Sequence, residues 1–128
     1  MAFLLDMDVA IHLRDGDPTV TDKVAALDAA VLVSIITRVE LEGGVYRDPA
    51  FRRVRRARLD AMLAALPTLA FDDAAAEAYG AIVANAGYSR RKLLDRMIAA
   101  QALVHRASLV TMNGGDYADV PGLSLVAW

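Results

Sequence analysis

Asp6 and Asp8 stand one residue apart where the apolar run Phe3-Leu4-Leu5 ends, and Glu40, Asp95 and Asp116 fall near the ends of other apolar segments. Acids so placed can do chemistry only if they converge. Two carboxylates about 4 Å apart repel by about 4 kcal/mol at an effective dielectric near 20, so a group of them requires protons or a cation. Oxygen ligands in a chain without cysteine favour Mg²⁺ or Mn²⁺ over zinc. The two histidines, His12 and His105, are too few for a histidine-rich zinc site. The competing reading is structural: Asp6 or Asp8 caps the helix that follows.

The elements that must position these acids can be read from the apolar pattern. Phe3–Leu5 is a short buried strand entering its loop at Asp6. Val9–Leu13 forms a short helix, closed by the turn Arg14-Asp15-Gly16. Asp17-Pro18 has the form of an N-cap with proline at the first helical position, opening a helix to about Ala29. Val31–Ser34 is a second strand, and Ile35 to about Tyr46 returns to helical spacing and carries Glu40. Gly43 and Gly44, one turn beyond Glu40, either end that helix or leave open space beside the carboxylate. Asp48-Pro49 repeats the cap signal ahead of a helix with Leu59, Met62, Leu63 and Leu66 as its core stripe. Thr68–Phe71 is a third strand, Asp72 or Asp73 caps a helix to about Ala86, and Leu93 to about His105 forms another. Leu109–Thr111 is a fourth strand and Leu123–Val126 a weaker fifth.

Strands alternating with helices imply an α/β protein, a three-layer α/β/α sandwich around a mostly parallel five-stranded sheet. In such sheets ligands bind outside the carboxyl ends of the strands. Asp6, Glu40, Asp95 and Asp116 would then share one edge.

The 128 residues form one domain, 1–128, able to bury about two-thirds of its unfolded surface. A hydrophobic fraction of 56% excludes disorder, and the absence of cysteine excludes disulfides and thiol chemistry. The first apolar run is short for a signal peptide and no run reaches the ~18 residues of a membrane span, so the expected location is cytoplasmic, without membrane contact.

The net charge of −2 means that any nucleic-acid affinity must come from local clustering. Six arginines lie between positions 47 and 58, including Arg52, Arg53, Arg55 and Arg56, and Arg90-Arg91-Lys92 precedes Asp95. Such clusters serve phosphate contacts, an acidic segment of a partner protein, or simply a solvated helix face. Tyr88 and Tyr117 either stack a base or pack at the rim. His105 suits a helix C-terminus.

Four segments carry a resemblance: Leu4-Leu5-Asp6-Met7-Asp8, Ser34-Ile35-Ile36-Thr37-Arg38-Val39-Glu40-Leu41, Asp95-Arg96-Met97-Ile98-Ala99-Ala100, and Leu109 through Tyr117. In this order they resemble the PIN-domain ribonucleases, in particular the VapC-type toxins of toxin–antitoxin pairs. The resemblance implies a metal-dependent endoribonuclease with catalytic acids at Asp6, Glu40, Asp95 and Asp116. Of these, Asp6, Asp95 and Asp116 would hold Mg²⁺ or Mn²⁺, supported by Asp8, Thr37 and Asn113. Arg52, Arg53, Arg56, Arg90, Arg91 and Lys92 would contact RNA or an antitoxin. A small cognate antitoxin and a homodimer are likewise implied. Met7 and Asp8 depart from the family pattern, which usually places Ser or Thr and then Asn after the first acid. Two other readings compete. One is a haloacid dehalogenase-like phosphohydrolase with Asp6 as nucleophile. The other is a PIN-fold binding module without catalysis.

Overall fold

The computed structural model describes all 128 residues. In order they form β1 (Ala2–Leu5), α1 (Met7–Arg14), α2 (Pro18–Ala25), β2 (Ala30–Ser34), α3 (Ile35–Arg47), α4 (Arg52–Ala65), β3 (Thr68–Leu69), α5 (Asp73–Ala86), α6 (Leu93–Val104), β4 (Ala107–Thr111) and β5 (Leu125–Ala127). Short 3-10 turns cover Pro49–Phe51 and Gly114–Tyr117. The sheet order is β3-β2-β1-β4-β5 and every pairing is parallel, so no antiparallel strand qualifies the expected sheet.

Alternation along β1 sorts the core into two layers. Leu4 packs with Leu109 of β4 and with Ile82, Ile98 and Ala102 of α5 and α6. Phe3 and Leu5 point the other way, onto Val9 and Val20 of α1 and α2. A third cluster joins Ala10 of α1 to Leu41 and Val45 of α3 and to Leu59 and Met62 of α4. Every residue of β4 is buried, as expected for a strand covered on both faces.

Three expected elements are shorter or shifted. The third strand stops at Leu69, because the buried Gln101 amide takes the Leu69 and Ala70 carbonyls at 3.1 Å each. The same side chain accepts from Ser34 Oγ at 2.5 Å, tying the sheet edge to α6. The second helix ends at Ala25 rather than Ala29. The last strand begins at Leu125, after Gly122 has turned the chain through φ +77°. Gly43 and Gly44 lie inside α3, which continues to Arg47.

No helix is long and apolar enough to cross a membrane.

Candidate metal centre

β1 lies between β2 and β4: the chain builds β2 and β3 on one side of it and then crosses to build β4 and β5 on the other. That makes the carboxyl ends of β1 and β4 the crevice where such sheets bind ligands. Asp6 follows β1 directly, and its backbone N–H still donates to Val110 of β4 at 2.8 Å. Its side chain is 4% exposed. Asp6 Oδ1 accepts from the Met7 N–H at 2.8 Å, so the capping role read from sequence is real. Capping is not its whole role. Asp6 Oδ2 accepts two further hydrogen bonds, from Thr111 Oγ1 at 2.7 Å and from the Tyr117 hydroxyl at 2.8 Å. A carboxylate oxygen offers about two lone pairs, so Oδ2 is filled and Oδ1 keeps one open position.

Asp8 is held as firmly but differently. Its Oδ1 accepts from the Val9 N–H at 2.7 Å, and its Oδ2 from Asn113 Nδ2 at 2.7 Å and the Met112 N–H at 3.2 Å. The Asn113 N–H in turn donates to Thr111 Oγ1 at 3.0 Å. Asp8 and Asn113 therefore latch the β1–α1 corner to the turn after β4.

Asp95 sits in the first turn of α6. Because α6 ends just before the parallel strand β4, its start lies at the carboxyl edge of the sheet. Asp116 is exposed, in the 3-10 turn after β4. Burial pushes the Asp95 carboxyl above its ordinary range, and the charges of Asp6, Asp116 and Asp8 push it further. The Asp6 carboxyl is also raised, chiefly by burial, against the lowering effect of its three hydrogen bonds. The Tyr117 phenol is raised by burial and by Asp6 and Asp95, which keeps it a proton donor. Neither Asp6 nor Asp95 makes an ion pair.

Glu40 lies on α3. It is exposed, makes no hydrogen bond or ion pair, and lines a cavity with Arg14, Arg47 and Arg55. Thr37 is fully buried and its hydroxyl has no partner. Among the basic candidates, Arg52, Arg53, Arg90 and Arg91 are exposed and free of ion pairs, Arg52 lying over the Tyr46 ring. Arg56 is committed to Glu42 and Asp60, and Lys92 to Asp119. Tyr88 is exposed, whereas Tyr117 is buried beneath the acids and cannot stack a base. Sequence reasoning missed Thr111 and Tyr117 as donors to Asp6; the only signal was their place beside Asn113 and Asp116.

As arranged, no three acidic or histidine side chains stand close enough to hold one ion together. The donor chemistry nevertheless fits a hard cation. Asp6, Asp95 and Asp116 supply oxygen only, their mutual repulsion has no neutralising partner, and Mg²⁺ retains several waters when one or two carboxylates hold it.

A PIN-domain family model matches residues 3–123. The chain belongs to the PIN-domain family. Solved structures agree on the PIN fold. A chain of VapBC2 from Rickettsia felis, bound to a DNA fragment from its promoter, is 22% identical with a TM-score of 0.86, covering 100% of this chain and 99% of that one. A chain of VapBC-5 from Mycobacterium tuberculosis is 27% identical with a TM-score of 0.73, covering 99% and 98%. A chain of a toxin–antitoxin complex from Klebsiella pneumoniae is 26% identical with a TM-score of 0.76, covering 97% and 95%. No curated protein matches the chain significantly by sequence. Membership of the PIN family removes the support for the dehalogenase-like alternative.

Proposed function

We propose that this PIN-domain protein is a Mg²⁺- or Mn²⁺-dependent endoribonuclease, the toxin of a VapBC-type pair. The observation that carries the reading is the group of acids at the ends of β1 and β4, Asp6, Asp8, Asp95 and Asp116, none of which makes an ion pair within the chain. Asp6 would hold the ion through its open Oδ1, with Thr111 and Tyr117 fixing the carboxylate plane from Oδ2. Asp95 and Asp116 would complete the protein's share of the ligands, and Glu40 would join as the fourth catalytic acid from α3. A divalent ion held by these residues would supply a lowered pKa for water at the site and offset charge developing on the phosphodiester. Asp8, Thr37 and Asn113 support the site, Asp8 and Asn113 by holding the two strand ends together. Cleavage would leave a 5′-phosphate and a 3′-hydroxyl.

Arg52, Arg53, Arg90 and Arg91 would position RNA or an antitoxin through charge, without reading sequence. Arg56 and Lys92 contribute less in this reading, because each already serves carboxylates of its own chain. The toxin–antitoxin complexes among the structural neighbours support a small cognate antitoxin as partner. A homodimer and a cytoplasmic location complete the proposal.

The test is purified protein on total RNA with Mg²⁺ or Mn²⁺, against EDTA and against Asp6→Ala. Cleavage lost in both controls is expected. Cleavage unchanged in both would remove the site. No cleavage by the unaltered protein, together with tight partner binding, would favour the non-catalytic binding module.

A further inference from the structure

Arg14, at the end of α1, is 7% exposed, and its neighbour Asp15 is its only ion-pair partner. Both contacts go to one oxygen, Asp15 Oδ1, from Nε at 3.0 Å and Nη2 at 2.9 Å. A guanidinium carries five N–H donors; the Nη1 end of Arg14 has no protein acceptor and, unlike the rest of the residue, is open to solvent. That end points toward α3, where Gly44 makes room for it. A Cβ on Gly44 would lie 3.2 Å from Arg14 Nη1.

Arg14 lines a cavity of about 290 Å³ together with Asp15, Glu40, Gly44, Arg47 and Arg55. Arg47 has no ion pair, and Arg55 donates from Nη1 to the Gly44 carbonyl at 2.9 Å. The lining thus holds three guanidiniums against two carboxylates, one of which, Asp15, is already engaged by Arg14. A water occupies about 30 Å³ of liquid, so the space suits a tetrahedral oxyanion with part of its hydration. Planar guanidinium forks match the oxygens of such a group.

We propose that this cavity between α1 and α3 is an anion subsite that seats a backbone phosphate of the RNA, one or more nucleotides from the cleaved bond. The proposal rests on the ribonuclease reading, and it explains why Glu40 shares a wall with arginines. The strand would run from the acids at the β1 and β4 ends past Glu40 into the cavity.

Inorganic phosphate, titrated into the metal-free protein, tests the subsite by ¹H–¹⁵N spectra that include the arginine Nε signals. Saturable shifts at Gly44 and at Arg14 Nε are expected, weakened about tenfold by Arg47→Gln and by Arg14→Gln, the loss appropriate to a charged hydrogen bond. Arg47 is exposed, so its variant stays informative even if the Arg14 variant folds poorly. An uncleavable 2′-O-methyl oligonucleotide should displace the phosphate, and Arg47→Gln should raise KM for a long RNA while leaving kcat near its original value and a dinucleotide unaffected. Shifts that never saturate, or that ignore both substitutions, would overturn the subsite. Displacement by an acidic peptide but not by the oligonucleotide would overturn the RNA assignment and give the cavity to a protein partner. Phosphate binding with no metal-dependent RNA cleavage by the unaltered protein would instead sink the ribonuclease reading.

Discussion

Asp95 and Arg96 are neighbours on the first turns of α6, yet they belong to opposite electrostatic regions. Asp95 faces Asp6, Asp8 and Asp116, and its carboxyl is pushed up by burial and by those charges. Arg96, 3% exposed, turns away from it. It donates from Nη1 to the Gly87 carbonyl at 2.6 Å and from Nη2 to Asp119 Oδ2 at 2.9 Å, with Lys92 adding a third contact at 3.2 Å. The Asp119 carboxyl is accordingly held below its ordinary range by Arg96 and Lys92. Two cations that could neutralise the acid group are thus bound to another acid one helical face away. One region has its charges paired within the chain, although Arg96 Nε and Asp119 Oδ1 keep no hydrogen-bond partner. The other stays short of positive charge, as a site for a cation must be.

The contrast can be broken most directly at Asp95. Asp95→Asn should reduce RNA cleavage by more than the ~10–100-fold typical of outer-shell partners of a metal. The same change should raise the Tm of the metal-free protein by a few degrees, about 1 kcal/mol for a domain of this size, because it removes like-charge repulsion. A fall in Tm would mean that the group is not frustrated. Arg96→Ala is the opposite case. It should destabilise by about 2 kcal/mol, through lost burial and the lost bond to Gly87, as read from urea unfolding. Tyr117→Phe keeps the buried ring and removes only the hydroxyl on Asp6 Oδ2. A ~10-fold weaker Mn²⁺ affinity with an unchanged fold is expected, measured by calorimetry.

The smallest effect is on pH. Asp6 and Asp95 have raised carboxyls, so the native state holds more protons than the unfolded chain, whose aspartates titrate near 3.8. Their stabilising contribution is full below that value and is lost as pH rises through the raised native values. Asp119 has the reverse sign: its contribution is present above 3.8 and is lost as pH falls through its lowered value. Metal-free melting curves should therefore show the contribution of these two acids declining as pH rises above 3.8, and Asp95→Asn should flatten the decline.

Much of the fold is legible in the sequence because its signals are local. Asp17-Pro18 and Asp48-Pro49 do open helical segments, and the alternation of Phe3, Leu4 and Leu5 sorts two layers of core. The edges are less legible. The length of β3 depends on the Gln101 amide, 31 residues further on than Ala70. At the candidate site the types and order of Asp6, Asp95 and Asp116 suffice to suggest an acidic edge. The partners of Asp6, Thr111 and Tyr117, are more than a hundred positions away and carry no pattern of their own. Charge runs mislead in the same way. Arg56 and Lys92 read as free surface cations until the folded chain brings Glu42 and Asp119 to them.

The measurement closest to the central claim is the Tm of the purified protein, titrated with MnCl₂ at neutral pH beside Asp95→Asn. Binding to the native state alone should stabilise by RT ln(1 + [L]/Kd), about 2.7 kcal/mol at a hundredfold excess over Kd. A saturating rise in the unaltered protein that is lost in the variant is the predicted result. No rise, or an equal rise in both, would contradict a cation site built on these acids.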